Sequence, residues 1–347
     1  MKSTTIKNIE KPFSQFGFGC ANFGGIGSVR ELVGKGNSKE EAFDLLDRAY
    51  DLGIRFFDVA NTYACGEAEK ILGQWLAQKS NNVRDQLIIS TKVGSPVTAD
   101  PNSGGLSAPH IEEQIQRSLD RLGISHVDIY FIHIPDAKTP QKETLEALTK
   151  CIEEKKTKSI GASNITVDYL KESWHISQTH NLANYQVVQN RCSLLHTTDL
   201  HELMPFCIKH NIAYTPHSPL CGGLLTGKYK NLDDFGPNTR LGLRRQWYDE
   251  YLTAKNFEKL QALQAIARTT GHSMAALALS WLMSIESMTT PICGPKTLEQ
   301  FEVVEESLKL DFDQEIKDRI QAIFLKFSLD KPSVVSFTLQ LLWSLFL

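Results

Sequence analysis

The 347-residue sequence predicts a (β/α)8 barrel of the α/β class, with an N-terminal β-hairpin before the first barrel strand and extra C-terminal helices after the last. Three observations carry that expectation. Eight short apolar stretches, bounded by turn residues, run from Phe16 to Cys293. Helical periodicity fills almost every gap between them, and repeated β–α units demand a parallel sheet covered by helices. The G-x-G-x-x-G fingerprint of a doubly wound dinucleotide fold is incomplete, because Asn22 stands where Gly17-Phe18-Gly19 needs a third glycine. Eight units over roughly 300 residues suit a barrel better than an open sheet.

The elements follow in order. Residues 4–20 read as a short hairpin and then the strand Phe16–Cys20. Glycines at 24, 25, 27, 34 and 36 mark a loop. Ser38 and Glu41 form a capping-box pattern; Ala42, Leu45, Leu46 and Ala49 give the stripe of a core-facing helix, which Gly53 ends. Strands Arg55–Val59, Leu87–Thr91, Val127–Ile132, Ser159–Ala162, Ala183–Gln189, Ile212–Pro216 and Thr290–Cys293 come next. Between them lie helices at Glu67–Leu76, from Ser107 to Gly123, Lys142–Lys155, from Thr166 to His180, Leu200–His210, Asn256–Arg268 and Met274–Met283. Thr297 with Gln300 repeats the capping-box pattern before a helix carrying Phe301, Val304 and Leu308, and Asp313–Lys326 is the last helix.

Composition narrows the class. At 41% hydrophobic, 22% charged and a formal net charge of −3, the chain is ordinary for a globular protein and gives no sign of a nucleic-acid partner. Seven scattered cysteines without a C-x-x-C indicate neither a disulfide framework nor a zinc knuckle and fit a reducing compartment. The polar N-terminus lacks the apolar core of a secretory signal, so the expected location is cytoplasmic. One barrel domain is expected over residues 1–330, followed by an apolar tail, 331–347. The tail's run from Val334 to Leu347 is short of the roughly 20 residues a membrane span needs, and packing on protein is the preferred reading.

Barrel chemistry sits at the C-terminal ends of the strands. Asp58 ends the second strand, Tyr63 lies in the loop beyond it, Lys92 ends the third strand and His133 follows the fourth. Each alone has a bland reading: a capping carboxylate, a surface phenol, a surface ammonium, a structural imidazole. Together they have a chemical logic. Free Tyr, with a pKa near 10, is a poor acid–base at neutral pH, and a nearby ammonium lowers that value. Lys92 can supply the ammonium, Asp58 can hold Lys92 charged, and His133 can donate a hydrogen bond to a substrate oxygen. Such a set protonates a carbonyl oxygen while hydride reaches its carbon. No nucleophile–base pair at matching strand ends competes, nor does an H-E-x-x-H pattern, and His196 and His201 read as solvated rather than as metal ligands.

At this point the chain resembles the aldo-keto reductase superfamily, specifically its aldo/keto and aryl-alcohol-dehydrogenase-like members. The resemblance covers nearly the whole chain and rests on G-I-R-F-F-D-V-A-N-T-Y (53–63), S-T-K-V-G (90–94), H-V-D-I-Y-F-I-H (126–133), G-A-S-N (161–164) and S-P-L-C-G-G-L-L-T-G-K-Y (218–229). It implies a reductase of aldehydes or ketones that uses a nicotinamide cofactor, usually NADPH with NADH left open. Asp58, Tyr63, Lys92 and His133 match the catalytic tetrad, with Tyr63 as proton donor. The resemblance further implies that Ser163, Asn164 and Gln189 hold the nicotinamide carboxamide and that Ser218, Leu220, Gly222 and Lys228 lie in the loop wrapping the pyrophosphate. Lys296, beside a helix N-terminus, would seat the 2′-phosphate of NADPH; its bland reading is an ordinary exposed lysine.

Departures from the family pattern accompany these matches. His217 stands where relatives carry an aromatic residue stacked on the nicotinamide, and it can titrate. Val304 stands where an Asn near the adenine is usual. Some members, the potassium-channel β subunits among them, keep this site as cofactor-bound regulators, so the alternative reading is a regulatory partner protein. Arg240, Arg244 and Arg245 could meet an anionic substrate or the cofactor, but the preferred reading is a mobile, solvated loop. Cys65 near Tyr63 and Cys221 in the phosphate loop are candidates for inhibitory oxidation.

Overall fold

The structure, a computed structural model, describes residues 6, 8–98, 100, 103–232, 234–286 and 290–325. Eight parallel strands form one sheet: β1 (Gly17–Gly19), β2 (Phe56–Asp58), β3 (Ile88–Val93), β4 (Val127–Ile132), β5 (Thr157–Ser163), β6 (Val187–Gln189), β7 (Ala213–Tyr214) and β8 (Ile292–Cys293). Their spatial order is 7-6-5-4-3-2-1-8. The sheet curls until its ends meet, where the Ile292 amide donates to the Pro216 carbonyl at 2.8 Å. This architecture is consistent with a (β/α)8 barrel.

The helices are α1 (Lys39–Asp51), α2 (Glu67–Ala77), α3 (Asn81–Arg84), α4 (Ala108–Leu122), α5 (Gln141–Glu153), α6 (Val167–His180), α7 (Leu203–Lys209), α8 (Arg240–Leu243), α9 (Ala254–Thr270), α10 (Met274–Met283), α11 (Phe301–Lys309) and α12 (Gln314–Phe324). The caps explain several boundaries. Ser38 accepts from the Glu41 amide while the Glu41 carboxylate accepts from the Ser38 amide, a full capping box. The Thr166 hydroxyl accepts from the Tyr169 amide, and Asp313 from the Ile316 amide. Gly123 ends α4 at φ 63°, where a side chain would be strained.

Strand periodicity builds the site. Along β2, Phe56 and Asp58 face one way; along β3, Ile88, Ser90 and Lys92; beyond β4, Phe131 and His133; along β6, Val187 and Gln189. The lower members of these pairs form an interior apolar cluster with Ile129, Ala213, Ile292, Ile6, Ile9 and Phe13. The barrel is thus plugged at one end by its N-terminal segment and polar at the other. Small residues make room for the large ones: a β-carbon on Gly161 would sit 2.3 Å from the Phe131 ring. A second, larger core lies between sheet and helices.

One expectation is not confirmed and another is corrected. The N-terminal hairpin is not seen as paired strands; among the described residues only an antiparallel bridge between Ile6 and Ile9 remains. Ile6, Ile9 and Phe13 are buried in the interior cluster at the plugged end of the barrel. The capping box at Thr297 does not form either. The Gln300 side chain instead accepts from the Lys296 amide, and a 3-10 turn, Leu298–Gln300, precedes α11. The apolar tail lies outside the described residues, and no described helix is long and apolar enough to cross a membrane.

Candidate active site

Asp58 and Lys92 come from adjacent strands paired in parallel register, Asp58 opposite Ser90. The Lys92 ammonium donates to Asp58 Oδ2 at 2.6 Å, to the Val59 carbonyl at 3.0 Å and to the Tyr63 hydroxyl at 3.4 Å. Asp58 Oδ1 accepts from the Ser90 hydroxyl at 2.7 Å and the Gln189 amide at 3.0 Å. Tyr63 opens a short 3-10 turn, Tyr63–Gly66, and presents its ring edge-on to His133, centroids 5.7 Å apart. The four tetrad positions therefore converge at the polar end of the barrel.

Electrostatics fix their charge states. Burial lowers the Lys92 pKa, but the Asp58 carboxylate and the Tyr63 oxygen together offset this, and the ammonium is held above its ordinary value. Burial raises Tyr63 above 10; the Lys92 charge pulls it back only in part. The lowering expected from the sequence is thus reversed, because loss of solvent outweighs the ammonium. His133 is pushed down to about 3 by burial and by Lys92, so its ring is neutral.

A second group joins this one. The Ser163 hydroxyl donates to the Gln189 carbonyl at 2.6 Å. Asn164, at φ 55°, donates from its side chain to the His133 carbonyl at 2.9 Å and to Ser163 Oγ at 3.1 Å. His217 Nε2 lies 3.0 Å from Asn164 Oδ1, and its Nδ1 lies 3.1 Å from Ser218 Oγ. Burial, aided by Arg191 and Lys92, holds His217 well below 6.5. It is therefore a fixed neutral ring here, not the titrating group its sequence position suggested.

The β7 loop turns sharply, with Ser218 at φ 56°, Cys221 at 47°, Gly222 at 65° and Gly223 at 98°. Lys228, exposed, folds over Gly223. Lys296 is exposed at the end of the β8 loop, and its carbonyl accepts from the Asn37 side chain. Neither lysine forms an ion pair among the described residues. Leu220 packs against the main core and Val304 is buried in it.

Other sequence readings change. His196 is half-buried and hydrogen-bonded to the Tyr251 hydroxyl at 2.7 Å, not solvated. Cys221 is buried, its thiol pushed up to about 12, which removes it as an oxidation site; Cys65 is exposed. Arg240 donates to Asn22 at 2.9 Å, and Arg244 lies over Trp247, so these two are held in place. Sequence reasoning missed Asn190, which bonds both backbone groups of Ile165 and is itself held by Asp199. It also missed Ser90, legible by its two-residue offset from Lys92 on the same face of β3.

Known proteins resemble this chain along most of its length. The model of the Aldo/keto reductase family matches residues 15–324. The L-glyceraldehyde 3-phosphate reductase of Escherichia coli O157:H7 is 33% identical over 77% of this chain and 78% of its own length. A probable voltage-gated potassium channel subunit beta of Oryza sativa subsp. japonica is 31% identical, covering 82% and 87%. The aldo-keto reductase yakc [NADP(+)] of Schizosaccharomyces pombe is 30% identical, covering 82% and 81%. The chain belongs to the aldo/keto reductase family of oxidoreductases.

Proposed function

We propose that this protein reduces an aldehyde or ketone to an alcohol, with NADPH as hydride source and Tyr63 as proton donor. The observation that supports this best is the buried Lys92–Asp58 pair with its ammonium on the Tyr63 oxygen. The donor set suits the cofactor. Ser163, Asn164 and Gln189 are uncharged and match a neutral carboxamide without adding charge beside the reacting carbon. Among the described residues Lys228 and Lys296 form no ion pair, and they lie at loops that suit phosphates. When bound, the nicotinamide supplies hydride to the carbonyl carbon.

The chain's residues do the rest. Tyr63, kept protonated by burial, transfers its proton to the carbonyl oxygen. Lys92, kept cationic by Asp58, stabilises the phenolate left behind. His133 is neutral and orients the substrate oxygen through a ring N–H; its buried Nδ1 has no hydrogen-bond partner among the described residues. Lys296 supports NADPH over NADH by meeting the 2′-phosphate.

The test is loss of NADPH absorbance with a panel of aromatic and aliphatic aldehydes, beside direct NADPH and NADH binding. Turnover with NADPH bound more tightly than NADH is expected. A second reading, a cofactor-bound partner protein, is favoured by the name of the rice relative. Tight NADPH binding without turnover moves the weight to it, and absence of binding removes both.

A further inference from the structure

Among the described residues Arg244 has no counter-ion, and it lies near the site. It follows α8 and stacks on Trp247, 4.5 Å from the ring centroid. It rests on Gly27, where an added β-carbon would lie 2.6 Å from Nη1. The Gly27 segment is in turn bonded to both neighbours of Tyr63. The Gly27 carbonyl accepts from the Ala64 amide at 3.0 Å, and the Ser28 and Thr62 hydroxyls are 2.7 Å apart. Arg244 is thereby held near the proton donor, close enough for its charge to act on Tyr63.

Its surroundings are unusual for an arginine. The residue is half-buried, and among the described residues its Nε has no hydrogen-bond partner and it forms no ion pair. The groups that act on it most strongly are Arg240, Tyr248, Tyr63 and Arg191, none of them a carboxylate. Burial and the Arg240 charge push it down to about 10. A desolvated charge without a partner is costly to hold, and the cost is recovered when an anion arrives. Arg240 differs, since its guanidinium is already bonded to Asn22.

We propose that Arg244 binds an anionic group carried by the carbonyl substrate, so that the favoured substrates are short aldehydes bearing a carboxylate or a phosphate. This rests on the reductase reading and names its substrate class. The planar fork of a guanidinium takes either oxyanion in a bidentate contact. Trp247 fixes the plane of the fork, and the Tyr63 side of the mouth receives the aldehyde.

The test compares matched pairs, succinic semialdehyde with butanal and glyceraldehyde 3-phosphate with glyceraldehyde, in the parent, Arg244→Met and Arg244→Lys. Binding of succinate and of inorganic phosphate to the NADP-loaded protein is measured separately by calorimetry, and NADPH binding is measured in all three. The parent is expected to favour the charged member of at least one pair, the pair identifying carboxylate or phosphate. Arg244→Met is expected to lower kcat/KM for that member about ten- to hundred-fold more than for its neutral partner, with Arg244→Lys between. Parallel losses for both members, with NADPH binding weakened ten-fold, would place the guanidinium on the cofactor and overturn the proposal. So would a parent that binds neither succinate nor phosphate. Arg244-dependent anion binding without turnover of any aldehyde would sustain the anion site and sink the reductase reading.

Discussion

Lys92 and Asp58 form an ion pair at 2.6 Å with side-chain exposures of 0% and 4%. Removing one member of such a pair strands a buried charge, at a cost of about 3–5 kcal/mol, whereas removing both is much milder. Asp58→Asn and Lys92→Met are each expected to lower the urea unfolding midpoint strongly, and the double variant to be more stable than the sum of the two losses. Additive losses in that cycle would mean that the pair is not coupled.

Thiol reactivity should single out one cysteine. Cys65 is exposed and the other six are buried, with Cys207, Cys221 and Cys293 pushed up to about 12 by burial. A native-state titration with an aromatic disulfide at pH 8 is expected to count one fast thiol, and mass spectrometry to place it at Cys65. Rapid labelling of Cys221 would contradict the packing of the β7 loop.

Acid should destabilise the fold before the carboxylates titrate. His133 is held down to about 3, His196 to about 4 and His217 well below 6.5, with burial the main cause in each. Unfolded, all three titrate near 6.5, so between roughly 4 and 6.5 the unfolded chain binds more protons. This contribution is complete above pH 6.5 and is lost as pH falls toward the folded values. The melting temperature is expected to be level from pH 7 to 8 and to fall steadily from 6.5 to 4.5. A rise on acidification would mean that the rings are charged in the folded state.

Asn164 combines a left-handed backbone, φ 55°, with side-chain bonds to the His133 carbonyl and to His217. Asn164→Gly keeps the backbone and loses the bonds; Asn164→Ala loses both and adds about 1 kcal/mol of strain. Chemical denaturation should rank parent above Gly above Ala. Both variants should also bind NADPH less tightly if the amide faces the cofactor.

Much of this was legible beforehand because strands alternate. Asp58, Lys92 and His133 occupy inward positions set by a period of two, so their convergence followed once the eight strands were placed. The Ser38 capping box was equally local and is present. What the sequence did not reveal depends on contacts distant along the chain. Arg244 meets Gly27, and Tyr63 loses enough solvent to raise its pKa against the pull of Lys92. The N-terminal segment is a further case: Ile6, Ile9 and Phe13 join the barrel's interior cluster, a contact between residues far apart along the chain.

The most direct test of the central claim is single-turnover oxidation of bound NADPH by a reactive aldehyde, in the parent and in Tyr63→Phe. The Tyr63 hydroxyl is the group placed on the Lys92 ammonium, and loss of a positioned general acid typically costs about 10²–10⁴ in rate. The variant is expected to bind NADPH as the parent does and to slow by that factor. A variant that binds NADPH and turns over at the parent's rate would contradict proton transfer from Tyr63.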